Sequence, residues 1–565
     1  MSTARRVYFY LVTGITLGIF AAGVGQLLAL IFDITIRSPY LTQVGGRAFN
    51  QQQFSLGLAM TIIGGPLWFM FWRAIQRRVT GNQEEIGAGM RKLFLNLILV
   101  VTALTWLTST SNFLMWLIAG VPLAPFSAGG LAALIVAGII WYYHWRVSET
   151  EGHHSPVART LRRWYVYILS GFGLVWLATG PVLLINSAII NLPIAGTIVR
   201  GQFWNSITQL SVAWIVLGGL AWYFHWFRMA RADFDSVLRQ VYFYLLAILG
   251  GVIAALVALT ISLYLIFIWA FGGVTIPIGQ HFQFLGWSIP TILVGAAVWA
   301  YHRWLAQEEA SQTHERWLSP QRIHFYLMSF LGLGTLVSGL ITLFGVLLGL
   351  IVTSISTQLA IAPGWWRGQL SLCLALLMVG TPMWLYYWSR ALQRAIAGGV
   401  AEWRSRSRRI YLYVIVSVSI VALAASLVNI VYQLLNGLLQ SSSGLNILRN
   451  STWSIQTLIV AAPLLWYHWR IVRNDQRLGA EAAAVHKTVT LLADAQAGDL
   501  ISRIEDKLGF KIRVLYEVEQ PSEQILVLSD EELARLTNDI QAAPSTKVML
   551  VALGGKIAVL PYREK

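Results

Sequence analysis

Apolar residues gather in long stretches separated by short polar segments over most of the chain. A stretch of about 20 residues spans a ~30 Å hydrocarbon core at ~1.5 Å per residue. Such stretches predict twelve transmembrane helices, over about 7–32, 55–73, 93–119, 130–146, 164–190, 207–227, 241–271, 286–304, 323–353, 369–389, 410–438 and 453–470. After residue 475 the pattern changes. A helix is expected over about 483–507, and Ile512, Val514 and Tyr516 alternate with polar neighbours as in a strand. A turn over 520–523 leads to a second strand over 524–528. Ser529 and Glu532 form a capping box for the next helix. Gly554-Gly555 between 548–552 and 556–561 signals a hairpin. The expected order is α-β-β-α-β-β.

The stretches repeat in pairs. Arg5-Arg6-Val7-Tyr8-Phe9-Tyr10 opens one apolar run, and related openers stand at Arg91, Arg162, Arg239, Arg322 and Arg408. Each unit closes on aromatic residues, as in Trp141-Tyr142-Tyr143-His144-Trp145-Arg146 and Trp222-Tyr223-Phe224-His225-Trp226. Six units follow, at about 5–80, 91–150, 162–232, 239–308, 322–395 and 408–475. The expected fold class is an all-α polytopic membrane protein, with about twelve helices as six repeated hairpins. A small C-terminal α+β cytoplasmic domain at 476–565 follows the membrane domain at 1–475. The layout resembles a bacterial multipass family called domain of unknown function 5671, whose units open with an Arg-x-x-Tyr-x-Tyr-like stretch. Unit 2 departs, with Phe94 and Asn96 at the tyrosine positions, and unit 5 has His324 at the first. The resemblance implies a membrane protein and brings no reaction.

Composition supports this reading. Of the 565 residues, 56% are hydrophobic and 12% charged, about half the usual charge of a soluble domain. One cysteine, Cys373, rules out an internal disulfide framework. The net charge of +16 is unevenly spread: residues 1–475 carry +18 and residues 476–565 carry −2. The positive charges flank apolar runs, so they read as membrane topology and not as a nucleic-acid surface. The N-terminus and the loops between units hold 23 Lys and Arg up to residue 409, against five inside units (Arg37, Arg47, Arg200, Arg367 and Arg449). Both termini are therefore expected on the cytoplasmic side of a bacterial inner membrane.

The recurring positions suggest several chemistries. Arg, Tyr and Trp at helix ends read as an aromatic belt, or as a ring for a lipid headgroup or a cation. His144, His225, His302 and His468 occupy equivalent closer positions, filled by Phe71 and Tyr387 in units 1 and 5. They are weak candidates for haem or another cofactor. Small residues precede each closer, among them Gly64, Gly218, Gly295 and Gly380, with Pro66, Pro382 and Pro463 beside three of them. They read as tight packing or as broken helices lining a cavity. Counted from the aligned opener base of each unit (Arg6, Lys92, Arg163, Gln240, Arg322 and Arg409), Gln26, Asn112, Thr260, Thr342 and Asn429 recur twenty residues on, with Asn186 a turn late in unit 3. They are candidates for interhelical hydrogen bonds or for a polar cavity. No Asp or Glu lies inside any predicted span, which disfavours carboxylate-coupled transport and catalysis within the membrane. No metal or cofactor is assigned. The leading expectation is a non-enzymatic platform or sensor in the lipid bilayer, whose tail at 476–565 engages a cytoplasmic protein. The alternatives are a transporter or channel for an apolar or weakly polar solute, and a redox subunit binding haem or quinone.

Overall fold

The computed structural model describes residues 3–37, 46–80, 82–122, 126–152, 155–191, 202–231, 233–234, 236–312, 318–355, 364–403, 405–440, 444–485, 488–493, 498–508, 511–516, 529–543, 545, 547–553 and 556–562. Arg200, His153-His154, strand 524–528 and the Gly554-Gly555 turn lie outside them. By backbone proximity the chain divides into two compact units, Met1–Tyr387 and Trp388–Lys565.

The first unit holds α1 (Thr3–Phe32), α2 (Gly46–Val79), α3 (Gln83–Ile86), α4 (Gly89–Ile118), α5 (Ala128–Glu151), α6 (Pro156–Ile190) and α7 (Ser206–Trp222). It continues with α8 (Val237–Val241), α9 (Leu249–Ala270), α10 (Ile278–His281), α11 (Leu285–Gln312), α12 (Leu318–Ile355) and the start of α13 (Trp366–Trp403). Two π-helical turns make longer rods: Tyr223–Met229 extends α7, and Tyr242–Ile248 joins α8 to α9. In the second unit lie α14 (Arg406–Leu439) and α15 (Gly444–Val485).

Among the described residues, eleven helices are long and apolar enough to cross a membrane. The protein is a multipass membrane protein built from helices, because a single helix satisfies its own backbone hydrogen bonds in lipid. The stretch expected over 453–470 lies in α15 and is not among the eleven. Gln456, Thr457 and the run Trp466-Tyr467-His468-Trp469 make it less apolar than its neighbours.

Helices that follow one another in sequence pack together: α1 on α2, α4 on α5, α6 on α7, α9 on α11 and α14 on α15. Glycine sets the closeness of several pairs. A methyl group on Gly64 would lie 2.7 Å from Phe20 N, one on Gly218 2.6 Å from Leu177 N, and one on Gly380 2.5 Å from Leu336 N. The small residues before the closers thus act as contact points between backbones. The helices run on through Pro66, Pro382 and Pro463. The opener-bearing helices of the first unit also lie side by side. Here α1 meets α4, α4 meets α6, and α6 meets the Tyr242–Ile248 turn, which in turn packs on α12.

The tail differs from expectation in its first elements. Where one helix was expected over 483–507, α15 ends at Val485, β1 (Thr488–Ala493) follows, and α16 (Gly498–Leu508) comes after it. Thr488, Val489 and Thr490 are β-branched and favour the extended chain. With β2 (Arg513–Tyr516), α17 (Asp530–Ala542), β3 (Lys547–Leu553) and β4 (Lys556–Pro561), the sheet order is β2-β1-β3-β4. The central strand β1 is parallel to both neighbours, with Val489 opposite Val548 and Leu491 opposite Val514. The final pair is antiparallel. Val489, Leu491, Val548 and Leu550 form a core with Ile504 of α16 and Leu533, Leu536 and Ile540 of α17. The Ser529–Glu532 capping box starts α17 as expected.

Candidate functional site

The openers and closers meet where consecutive helices pack. Close packing of consecutive helices brings the aromatic residue two positions after each aligned opener base against the histidine position of the closer. In unit 3, Tyr165 faces His225 with ring centroids 5.5 Å apart, and in unit 4 Tyr242 faces His302 at 5.6 Å. The remaining pairs are Tyr8–Phe71 at 6.5 Å, Phe94–His144 at 6.3 Å, His324–Tyr387 at 5.9 Å and Tyr411–His468 at 6.1 Å.

Hydrogen bonds fix the imidazoles. A carbonyl oxygen only accepts, so each bonded ring nitrogen must donate. His225 Nδ1 donates to Ala221 O at 2.8 Å, His302 Nδ1 to Val298 O at 2.8 Å, His144 Nδ1 to Ile140 O at 2.8 Å, and His468 Nδ1 to Leu464 O at 3.0 Å. The other nitrogen, Nε2, is then left as an acceptor. Tyr165 OH donates to His225 Nε2 at 3.3 Å and accepts from Trp141 Nε1 at 3.2 Å. The same chain repeats one unit on, with Trp222 Nε1 to Tyr242 OH at 2.9 Å and Tyr242 OH to His302 Nε2 at 3.4 Å. His144 Nε2, which faces Phe94, and His468 Nε2, which faces Tyr411, are buried without a hydrogen bond.

Ion pairs close the same ends of the helices. Arg6 meets Glu85 at 2.8 Å, Arg163 meets Asp233 at 2.5 Å, Arg239 meets Glu309 at 2.5 Å and Arg408 meets Asp475 at 2.6 Å. Arg91 and Lys92 both pair with Glu151. Arg6 hydrogen-bonds the Glu85 carboxylate and holds it down at about pKa 2. Arg91, Arg239 and Arg408 are buried, and a buried charge requires such a partner. Hydropathy and the aromatic repeats do not single out these acids. A signal for them is present: Glu151, Asp233, Glu309 and Asp475 follow the closer histidines by seven or eight residues.

Each motif has an exposed side and a buried side. Tyr8, Tyr142, Trp164, Tyr223 and Trp466 are exposed. Tyr165, Tyr242, Tyr411 and the four closer histidines are buried, because helical periodicity turns neighbouring positions inward.

The recurring polar positions have separate surroundings. Asn186 of α6 bonds α11: its amide nitrogen donates to Gly286 O at 3.3 Å and its oxygen accepts from Trp287 Nε1 at 3.1 Å. Thr260 and Thr342 donate to Leu256 O and Ser338 O on their own helices, both at 2.8 Å. Asn112 lines a cavity of about 10 Å³ with Phe113, Trp116 and Phe126, the lower limit for one water. Asn429 Oδ1 is buried without a hydrogen bond. Gln26 is half-buried. No group of three or more His, Cys, Asp or Glu residues able to hold a metal occurs among the described residues.

A family model described as Domain of unknown function (DUF5671) matches residues 6–128, 126–197, 163–282 and 322–449. No curated protein and no solved structure matches the chain.

Proposed function

Because the chain belongs to the domain of unknown function 5671 family, which carries no assigned activity, we propose a role from its own residues: a non-enzymatic membrane platform with a cytoplasmic interaction domain. The observation that carries this reading is the use made of the repeated polar groups. His225 Nε2 is occupied by Tyr165, and Arg239 by Glu309. Groups engaged this way hold helices together and are not themselves free to relay a proton or ion to a solute.

The proposed architecture is six hairpins and twelve spans, with α15 supplying the last. Burial of its polar groups supports that assignment, since Gln456, Thr457 and His468 are hidden from the surface. The excess of Arg and Lys at the opener and closer ends supports cytoplasmic termini in a bacterial inner membrane. The tail acts as a self-contained α+β module whose α17 presents Glu531, Arg535 and Asn538 outward.

Photo-crosslinking tests the proposal in the full chain in its native membrane. A photoreactive residue at Arg535 is expected to give a discrete protein adduct, absent when the probe stands at Trp466 on the exposed aromatic face. Adducts at neither position, or the same adduct at both, would contradict the role assigned to the tail.

A further inference from the structure

A groove of about 400 Å³ opens where α6 begins, against the residues that end the π-helical turn Tyr223–Met229. Three arginines line it, Arg159, Arg162 and Arg163, together with Asp233 and the apolar Val166, Met229 and Ala230. Arg163 and Asp233 satisfy each other at 2.5 Å, and Tyr167 OH donates to the second carboxylate oxygen at 2.9 Å. Asp233 therefore has little capacity for another cation.

Arg162 is differently placed. Its Nη2 donates to Glu149 Oε1 at 2.7 Å, outside the groove lining, and its guanidinium lies 4.2 Å from the centre of the Trp145 ring. Its Nη1 is shut off from water without a hydrogen bond. Arg159 is exposed and has no ion pair among the described residues. Three guanidiniums thus face two carboxylates, both already engaged. The groove holds excess positive charge, and the exposed Arg159 supplies its available donors.

We propose that this groove binds the phosphate of an anionic phospholipid. Planar guanidinium donors match phosphate oxygens in geometry and charge. Val166 and Met229 continue the lining with apolar surface, suited to the glycerol and first acyl carbons of a lipid. The position agrees with that ligand. Trp164, Tyr223 and Phe227 are exposed at the same helix ends, and aromatic residues of this kind mark the headgroup level. Basic pockets between membrane helices at that depth suit anionic headgroups. Free phosphate shares the headgroup chemistry and lacks the part that would use the apolar lining. The site goes beyond the platform role, since a resident lipid would be held whether or not the tail meets a partner.

The test uses full-length protein in phosphatidylcholine nanodiscs titrated with phosphatidylglycerol. Native mass spectrometry counts the lipid retained per chain. Saturable retention of one phosphatidylglycerol is expected. Arg159→Ala should weaken it about fivefold, as the loss of one basic residue at an anionic surface implies. Arg228→Ala, an exposed arginine outside the lining, should leave it unchanged. No saturable retention, or equal weakening by both substitutions, would overturn the site. In a second arm, inorganic phosphate is added to loaded nanodiscs. Persistence of the bound lipid supports the assignment. Its displacement with retained phosphate would overturn the lipid in favour of a soluble anion.

Discussion

His324 and Tyr387 stand with ring centroids 5.9 Å apart in exchanged positions. Units 3 and 4 place tyrosine on the first helix and histidine on the second, as in Tyr165–His225 and Tyr242–His302. Unit 5 reverses the two residues and keeps the pair. In units 3, 4 and 5 the seam keeps one imidazole against one phenol, whichever helix carries each, while units 1 and 2 place Phe71 and Phe94 in one of the two positions.

The exchange gives a direct test. His324→Tyr or Tyr387→His alone would place two like rings at the seam and lower the unfolding temperature. The double substitution would restore the arrangement of units 3 and 4. A favourable coupling of about 1 kcal/mol is expected from the cycle. Additive losses in thermal unfolding followed by tryptophan fluorescence would contradict the pair.

The Arg239–Glu309 pair predicts a large effect from a small change. Their side chains are 5% and 6% exposed, so Glu309→Ala leaves a buried guanidinium uncompensated at a cost of about 3–5 kcal/mol. Glu149→Ala removes a carboxylate whose side chain is 45% exposed, and should cost about 1 kcal/mol or less. Chemical unfolding of the two variants in the same detergent would compare them. Equal losses would contradict the assignment of buried and surface pairs.

Glu85 predicts an acid-sensitive contribution. Arg6 lowers its carboxyl from the ordinary 4.5 to about 2. A depressed carboxyl adds stability fully above the unfolded value, and that stability disappears as pH falls through the folded value. Between about pH 4.5 and 2 the wild type should therefore lose stability faster than Glu85→Gln. Parallel curves in acid unfolding would show that the pair contributes nothing there.

Gly295 should tolerate no side chain. An added methyl group would stand 2.6 Å from Gly251 O, backbone against backbone, whereas at Gly250 it would meet nothing within 4 Å. Gly295→Ala is expected to cost about 1–3 kcal/mol by forcing α9 and α11 apart. Gly250→Ala should be neutral or slightly stabilising. The unfolding midpoints of the two variants would separate these cases.

Much of this arrangement was legible in the sequence. Length and hydropathy located the helices, since the bilayer imposes both, and repetition exposed the equivalent histidines. The partners were harder to see. Hydrophobicity does not say which of Tyr8, Phe9 and Tyr10 turns inward, and the pairing of Tyr165 with His225 spans 60 residues. Glu151 ends α5 and Glu309 lies in the last turns of α11, beyond the predicted spans, where a charge reads as an ordinary solvated position. In the tail, Val489 to Ala493 is a short apolar run, and such runs fit a buried strand or a helix equally well, so the pattern alone does not single out β1.

In the proposed role, the repeated polar groups hold helices together and do not line a path. Solute flux in proteoliposomes tests this most directly, with glycerol, potassium and protons as probes. The predicted result is a rate equal to that of protein-free liposomes for each probe. A saturable, protein-dependent flux of any one of them, abolished when His225 and His302 are replaced in a protein that still folds, would contradict it.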